Sequence, residues 1–285
     1  MKAETYRFKI GAFDCLAVSD GTMAYPAGLL FANARKEDYE QELRARQLPL
    51  NEITTPYNCL YVDTGQHRVL VDTGAGRLAP TTGRLANHLR GENIEPETID
   101  TVILTHAHPD HIGGNLDSDG RLAFPKARYV MSRVEWDFWM SNPTLASLSC
   151  GEPFKQMLLQ YAANMLPPLR RRLELLDDEI EVVPGVRTIA APGHTPGHLA
   201  LEISSQGQTF IDAVDTFLHS IMIERPEWYS AVEADPKKTI ASRRRLLERA
   251  VESELEVMSF HFPFPGLGRV VRNQNGFTWK PRASN

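Results

Sequence analysis

Three cysteines in 285 residues, Cys15, Cys59 and Cys150, are too few and too widely spaced for a disulfide framework or a Cys-x-x-Cys metal or redox motif. They read as small buried hydrophobes. No run approaches the roughly 18 uninterrupted apolar residues of a membrane-spanning helix. The residues after Met1 pass into an alternating stretch without the apolar segment of a secretory signal, so a cytoplasmic, non-membrane protein is expected. An excess of positive charge is also missing. Lys and Arg number 31 against 36 Asp and Glu, net −5, which excludes a field that would draw in nucleic acid. The two basic runs, Arg170-Arg171-Arg172 and Arg243-Arg244-Arg245, read as solvated faces. No Gly-x-Ser-x-Gly elbow and no Gly-rich phosphate loop ending in Lys occurs, so serine-hydrolase and P-loop chemistries lack their parts. A Pro/Gly/Ser-rich linker is absent as well, and residues 1–285 are expected to form a single domain.

What the chain does contain is mixed α/β grammar. Residues 6–10 alternate, 15–18 form a short apolar run, and 59–62 and 69–71 flank a turn, all predicting strands. Residues 35–47 predict a helix between them. Leu85, Leu89 and Ile94 mark another, and 101–104 is a continuous apolar run that suits a strand buried on both faces. A strand at 127–131 gives way to helical residues 134–139 and a helical region to about 169. Strands follow at 186–190, 199–203 and 208–214, then a helix at 237–253 and a core strand at 255–260. A terminal hairpin runs from 269–271 through Asn275-Gly276 to 277–279. Two halves of this kind suggest sheets packed on each other with helices outside.

The strongest chemical signal is Thr105-His106-Ala107-His108-Pro109-Asp110-His111-Ile112-Gly113-Gly114, at the end of the buried strand 101–104. His106 and His108 are two apart, so in extended backbone they project the same way and can bind one metal ion. Asp110 and His111, beyond Pro109, can face a second ion, while Gly113-Gly114 lets the backbone pass close by. Four residues cannot fill two coordination spheres, so further ligands are required at other strand ends. The candidates are the histidines of Pro192-Gly193-His194-Thr195-Pro196-Gly197-His198, Asp212 or Asp215, and His261.

These residues, with Val71-Asp72-Thr73-Gly74 upstream, resemble the metallo-β-lactamase-fold hydrolases over nearly the whole chain. Ser19-Asp20-Gly21-Thr22, Gly83-Arg84-Leu85, Phe138-Trp139 and the stretch from His261 to Gly268 are similar to the methyl parathion hydrolase-like branch. Quorum-quenching acyl-homoserine lactonases share the metal motifs. The resemblance implies a four-layer αβ/βα sandwich with two divalent metal ions at the edge of the paired sheets. His106, His108 and His194 would hold the first, and Asp110, His111 and His261 the second. Asp215 would bridge them, with Asp212 the alternative, because Val214 stands where the family usually has glycine. Asp72 would orient the ligand loop.

Zinc is the expected metal, and Fe, Mn or Co also suit imidazole and carboxylate donors. A metal-bridging hydroxide would attack the substrate, with Asp110 and Asp215 as the catalytic carboxylates. The expected substrates are small carboxylic esters or lactones, with phosphotriesters as side substrates. The alternative is a glyoxalase II-type thioester hydrolase, which adds a basic site for glutathione carboxylates. Phe138 and Trp139 are candidates for an aromatic pocket wall, Tyr229 for a proton donor, and Leu78-Ala79-Pro80 stands where organophosphate-hydrolysing relatives place an aromatic. The stretch from Tyr25 to Phe31 suits either a homodimer interface or a pocket wall. His198 and His219 read equally as ligand-supporting or structural, and His67 and His88 as surface residues.

Overall fold

The computed structural model describes residues 4–274 and 276–282 of the chain. Strands β1 (Thr5–Ile10), β2 (Phe13–Pro26), β3 (Glu52–Asp63), β4 (Arg68–Val71), β5 (Thr101–Leu104), β6 (Arg128–Ser132) and β7 (Leu173–Leu176) form one sheet in sequence order. Pairing is antiparallel from β1 to β4 and parallel from β4 to β7. A second seven-stranded sheet holds β8 (Glu181–Val183), β9 (Val186–Ala190), β10 (Leu199–Ser205), β11 (Gln208–Asp212), β12 (Glu256–Met258), β13 (Leu267–Asn273) and β14 (Gly276–Pro281), again in order. Only β11 and β12 are parallel there, because α8 connects them.

The helices are α1 (Ala27–Leu30), α2 (Lys36–Ala45), α3 (Leu85–Gly91), α4 (Pro109–Ile112), α5 (Arg133–Met140), α6 (Glu152–Met165), α7 (Ile221–Glu224) and α8 (Pro236–Glu252). α3 and α5 pack on the first sheet, α7 and α8 on the second, giving the four-layer αβ/βα sandwich. Apolar faces of the two sheets meet in one contiguous core, where Phe8 of β1 lies 5.5 Å from Phe210 of β11, centroid to centroid. α8 starts where Asp235 accepts the Lys238 N–H at 3.1 Å and Pro236 opens the first turn. It buries Thr239, Ser242, Arg243, Leu246, Leu247 and Ala250, a stripe at helical spacing.

The strand predicted at 15–18 is the early part of a fourteen-residue β2, which continues through a bulge between Ser19 and Gly21. Likewise 59–62 is the last part of β3. The strand predicted through Val214 stops at Asp212, and the one predicted through Phe260 stops at Met258. In both cases the chain leaves the sheet to form site loops. β7 and β8 lie outside the strands predicted from sequence; β7 buries only Leu176 fully and β8 opens on the exposed Glu181, so neither shows the continuous apolar run of β5. Asn275 of the expected terminal turn lies outside the described residues. Among the described residues no helix is long and apolar enough to cross a membrane. Arg243, read as part of a solvated basic run, is fully buried; its guanidinium donates to the carbonyls of Thr216 and Pro226, both at 2.9 Å, and only Arg244 and Arg245 face solvent.

Candidate metal centre

β5 is buried along its length, and the chain stays extended to His108 before Pro109 starts the single turn of α4. That geometry puts the His106 and His108 rings 4.7 Å apart, with His194, from the turn after β9, 4.9 and 4.5 Å from them. Ligand atoms of His106, His108, His194 and Asp215 lie within 4.8 Å of one another, and those of Asp110, His111 and His261 form a second such group. The groups meet at one atom. Asp215 Oδ2 is 3.2 Å from His194 Nε2 and 3.7 Å from His106 Nε2 on one side, 3.3 Å from His111 Nε2 and 3.1 Å from His261 Nε2 on the other. All seven residues singled out from sequence therefore converge.

Asp212 stays apart, its carboxylate accepting the Val214 N–H at 3.2 Å. Val214 explains the family glycine at its position: it is held at φ 46°, a left-handed conformation that glycine adopts freely and a β-branched residue rarely does. This turn swings Asp215 off the end of β11 and toward the imidazoles.

The donor set fits cations. Among the described residues, Nε2 of His106, His111 and His194 and Oδ1 of Asp215 are buried without a hydrogen-bond partner. Orphaned polar atoms are rare in folded chains, and here four of them gather among imidazoles and carboxylates, the donors that divalent transition metals take.

Four of the five rings are fixed through Nδ1, His106 by the Thr105 hydroxyl at 3.1 Å. Asp72 Oδ2 lies 2.7 Å from His111 Nδ1, while Asp72 also accepts the Thr105 N–H and hydroxyl, both at 2.8 Å. The expected orienting role of Asp72 thus has its geometry. His194 Nδ1 lies 3.1 Å from Glu233 Oε2, and His261 Nδ1 is 3.0 Å from the Pro56 carbonyl on β3. His198, left open by the sequence, donates through Nδ1 to the Ala191 carbonyl at 3.0 Å and accepts the Asp215 N–H through Nε2 at 3.3 Å, so it positions Asp215. His219 stacks edge-on to Phe31 and accepts the Ile221 N–H at 3.2 Å, a structural role. His67 is on the surface, whereas His88 is half-buried against the Ser19 carbonyl at 2.7 Å.

Two carboxylates went unnoticed in the sequence. One is Glu233, which also takes the hydroxyls of Thr239 and Ser230. The other is Glu135, fully buried in the first turn of α5. Its Oε1 accepts from Ala107 N at 3.0 Å and Trp139 Nε1 at 2.7 Å, its Oε2 from Thr195 Oγ1 at 2.6 Å and Gly197 N at 2.9 Å. Four donors on one carboxylate tie the His106–His108 loop to the His194 loop. The approach is so close that a Cβ on Gly197 would overlap the Glu135 backbone. Gly114 is comparable, a Cβ there colliding with the Thr73 carbonyl, as the close passage of Gly113-Gly114 requires.

Burial drives the imidazoles of His106 and His108 well below the usual range. It acts on His111 and His194 too, but carboxylates override it: Asp215, Asp72 and Asp110 raise His111, and Glu233 with Asp215 lifts His194 to about 10. Buried negative charge thus gathers around the imidazoles, an environment that favours a bound cation.

The centre forms the floor of a cavity with apolar walls, lined by Tyr25, Leu29, Leu30, Leu78, Leu218, Val232 and, from α6, Phe154, Met157 and Leu158. From the stretch 25–31, Tyr25, Leu29 and Leu30 line the cavity, as the pocket-wall reading expects, and Phe31 itself is buried. Trp139 does not line the cavity. It is buried, bonded to Glu135 and edge-on to His108 at 5.9 Å, and Phe138 packs beside it. Tyr229 is also absent from the walls, its backbone instead joining Ala32 and Asn33. Among the described residues no Lys or Arg lines this cavity.

The metallo-beta-lactamase superfamily model matches residues 54–252. The chain is 25% identical over 229 residues to the N-acyl homoserine lactonase AiiA of Bacillus thuringiensis subsp. kurstaki, spanning 73% of this chain and 81% of the relative. Among solved structures it resembles AidC, a dizinc quorum-quenching lactonase in complex with a product N-hexnoyl-L-homoserine, at a TM-score of 0.93 and 26% identity over 100% of this chain and 99% of that one. The hydrolase AbOPH follows at 0.89 and 25%, with the same coverage. With the family match covering most of its length and the ligand cluster in place, the chain belongs to the metallo-beta-lactamase superfamily and is a metal-dependent hydrolase.

Proposed function

We propose that this hydrolase binds two zinc ions and opens lactones, N-acyl homoserine lactones among them, and cleaves carboxylic esters, with phosphotriesters as side substrates. His106, His108 and His194 would hold one ion, Asp110, His111 and His261 the other, and Asp215 both. The observation that carries the reading is Asp215 Oδ2, within 3.7 Å of four imidazole Nε2 atoms drawn from both ligand groups, at the base of an apolar cavity. When bound, such a pair supplies an acidified water and polarises the scissile carbonyl.

The chain's own residues do the rest. Asp110, whose side chain is the most exposed of the carboxylates at the centre, faces the cavity and accepts a hydrogen from the attacking water. Leu29, Leu30, Phe154 and Met157 receive the acyl portion and keep bulk water away. The thioester alternative requires a cationic wall for an acidic thiol conjugate, and this cavity offers no support for one. AidC and AiiA, lactonases by name, support the lactone class.

A panel of aryl esters, short- and long-chain lactones, thioesters and phosphotriesters, run on zinc-loaded and chelator-stripped protein, tests the proposal. Lactones and esters should be turned over only by the loaded form. Preference for thioesters, or turnover indifferent to stripping, would overturn it.

A further inference from the structure

Tyr25 of β2 and Tyr57 of β3 meet hydroxyl to hydroxyl, Oη to Oη 2.6 Å. The register places them together: Tyr25 pairs with Ile53 and Tyr57 with Gly21, so both side chains stand on one face of the sheet. Each phenol carries one hydrogen and their mutual bond uses one, so a second hydrogen has to go elsewhere.

Tyr57 is 0% exposed, stacked on Phe260 at 5.8 Å and edge-on to His261 at 5.5 Å. Among the described residues its hydroxyl meets no acceptor except Tyr25. A hydrogen left over on Tyr57 would be buried without a partner, whereas Tyr25 lines the cavity beside Asp110, Asp215 and His261. Tyr57 is therefore the donor to Tyr25, and the Tyr25 hydrogen is the free one. Thr55, the other hydroxyl on the cavity wall, spends its hydrogen on the Ile53 carbonyl at 3.3 Å.

We propose that Tyr25, oriented by Tyr57, is a catalytic residue that donates a hydrogen bond to the leaving-group oxygen when that oxygen departs as an aliphatic alkoxide, as in lactones and alkyl esters. This rests on the hydrolase reading above. In the step concerned the water oxygen bonds to the carbonyl carbon and the carbon–oxygen bond to the leaving group breaks. One water hydrogen is lost as the nucleophile forms and the other passes to the departing oxygen, giving carboxylate and alcohol. Tyr25 keeps its own hydrogen and stabilises the charge in transit. Burial and the Asp110 carboxylate hold its phenol above the usual range, in keeping with a donor that does not ionise.

The test compares Tyr25→Phe with wild type on a lactone or alkyl ester and on an aryl ester of matched acyl chain, whose phenolate leaves without help. The loss in kcat on the aliphatic substrate should exceed that on the aryl ester by about 10- to 100-fold, at equal zinc content and melting temperature. Tyr57→Phe, which removes the orienting donor, should give the same ranking with a smaller ratio. Equal losses on both substrates, or none, would overturn the assignment, as would a loss that tracks zinc content. A wild-type protein inert toward every ester and lactone would instead bring down the hydrolase reading, and this assignment with it.

Discussion

Glu233 Oε2 lies 3.1 Å from Nδ1 of His194, whose Nε2 stands 3.2 Å from Asp215 Oδ2, so one imidazole is held between two buried carboxylates. The inner carboxylate belongs to the candidate metal centre, and the outer one fixes the ring from its far side. Replacing Glu233 by Gln should weaken one of the two zinc sites about 10- to 100-fold while leaving the other in place. Zinc titration against a competing chelator reads this directly, and two unchanged affinities would remove Glu233 from the site.

Asp215→Asn should abolish lactone hydrolysis and lower bound zinc from two ions to one or none. Asp212→Asn, altering a carboxylate that accepts the Val214 N–H, should keep both ions. Metal analysis of the two variants side by side decides between them, and the reverse pattern would move the bridge to Asp212. His261→Ala, by the same logic, should empty mainly the second position.

Glu135 makes no contact with the cavity yet holds two ligand loops through four hydrogen bonds. Glu135→Ala would leave buried donors without an acceptor and should lower stability by about 3–5 kcal/mol. Urea unfolding of the zinc-free protein measures it, and a cost below about 1 kcal/mol would show the clamp to be dispensable.

Seven of the residues at the centre were legible because four of them fall within six positions after a buried strand, and the others follow strand ends. Glu135 and Glu233 carry no such spacing. A lone Glu in Val134-Glu135-Trp136 or Val232-Glu233-Ala234 reads as a helix or loop charge, and only the tertiary arrangement brings a histidine ring or four donors to it. Arg243 was hidden for the converse reason, since in a basic run the sequence does not say which arginine turns inward. Trp139 is a pocket-wall candidate on its aromaticity, but Glu135 offers its indole N–H a buried acceptor and draws it into the core. The alternation of β2 and β3 is broken by the Ser19–Gly21 bulge and by Pro56, so their full lengths appear only once paired.

Asp20 supplies a pH test at a carboxylate outside the seven converging residues. It accepts the N–H groups of Ala75, Gly83 and Leu85, and burial, only partly offset by these bonds, raises its carboxyl from 3.8 to about 6. Its folded pKa exceeds its unfolded one, so the folded chain retains a proton that the unfolded chain releases. The contribution to stability is fully present below pH 3.8 and is lost as pH rises through 6. Comparing wild type with Asp20→Asn by urea unfolding from pH 4 to pH 7 should show wild-type stability falling relative to the variant's by up to roughly 3 kcal/mol. Parallel profiles would contradict the raised pKa.

Catalysis is expected to require a pair of cations held by the seven converging residues. Titrating zinc into chelator-stripped protein while following lactone hydrolysis tests this in one experiment. Two tightly bound equivalents per chain, with activity restored on filling the second, is the expected result. A chain that binds no zinc, or that hydrolyses lactones equally well without it, would contradict the account.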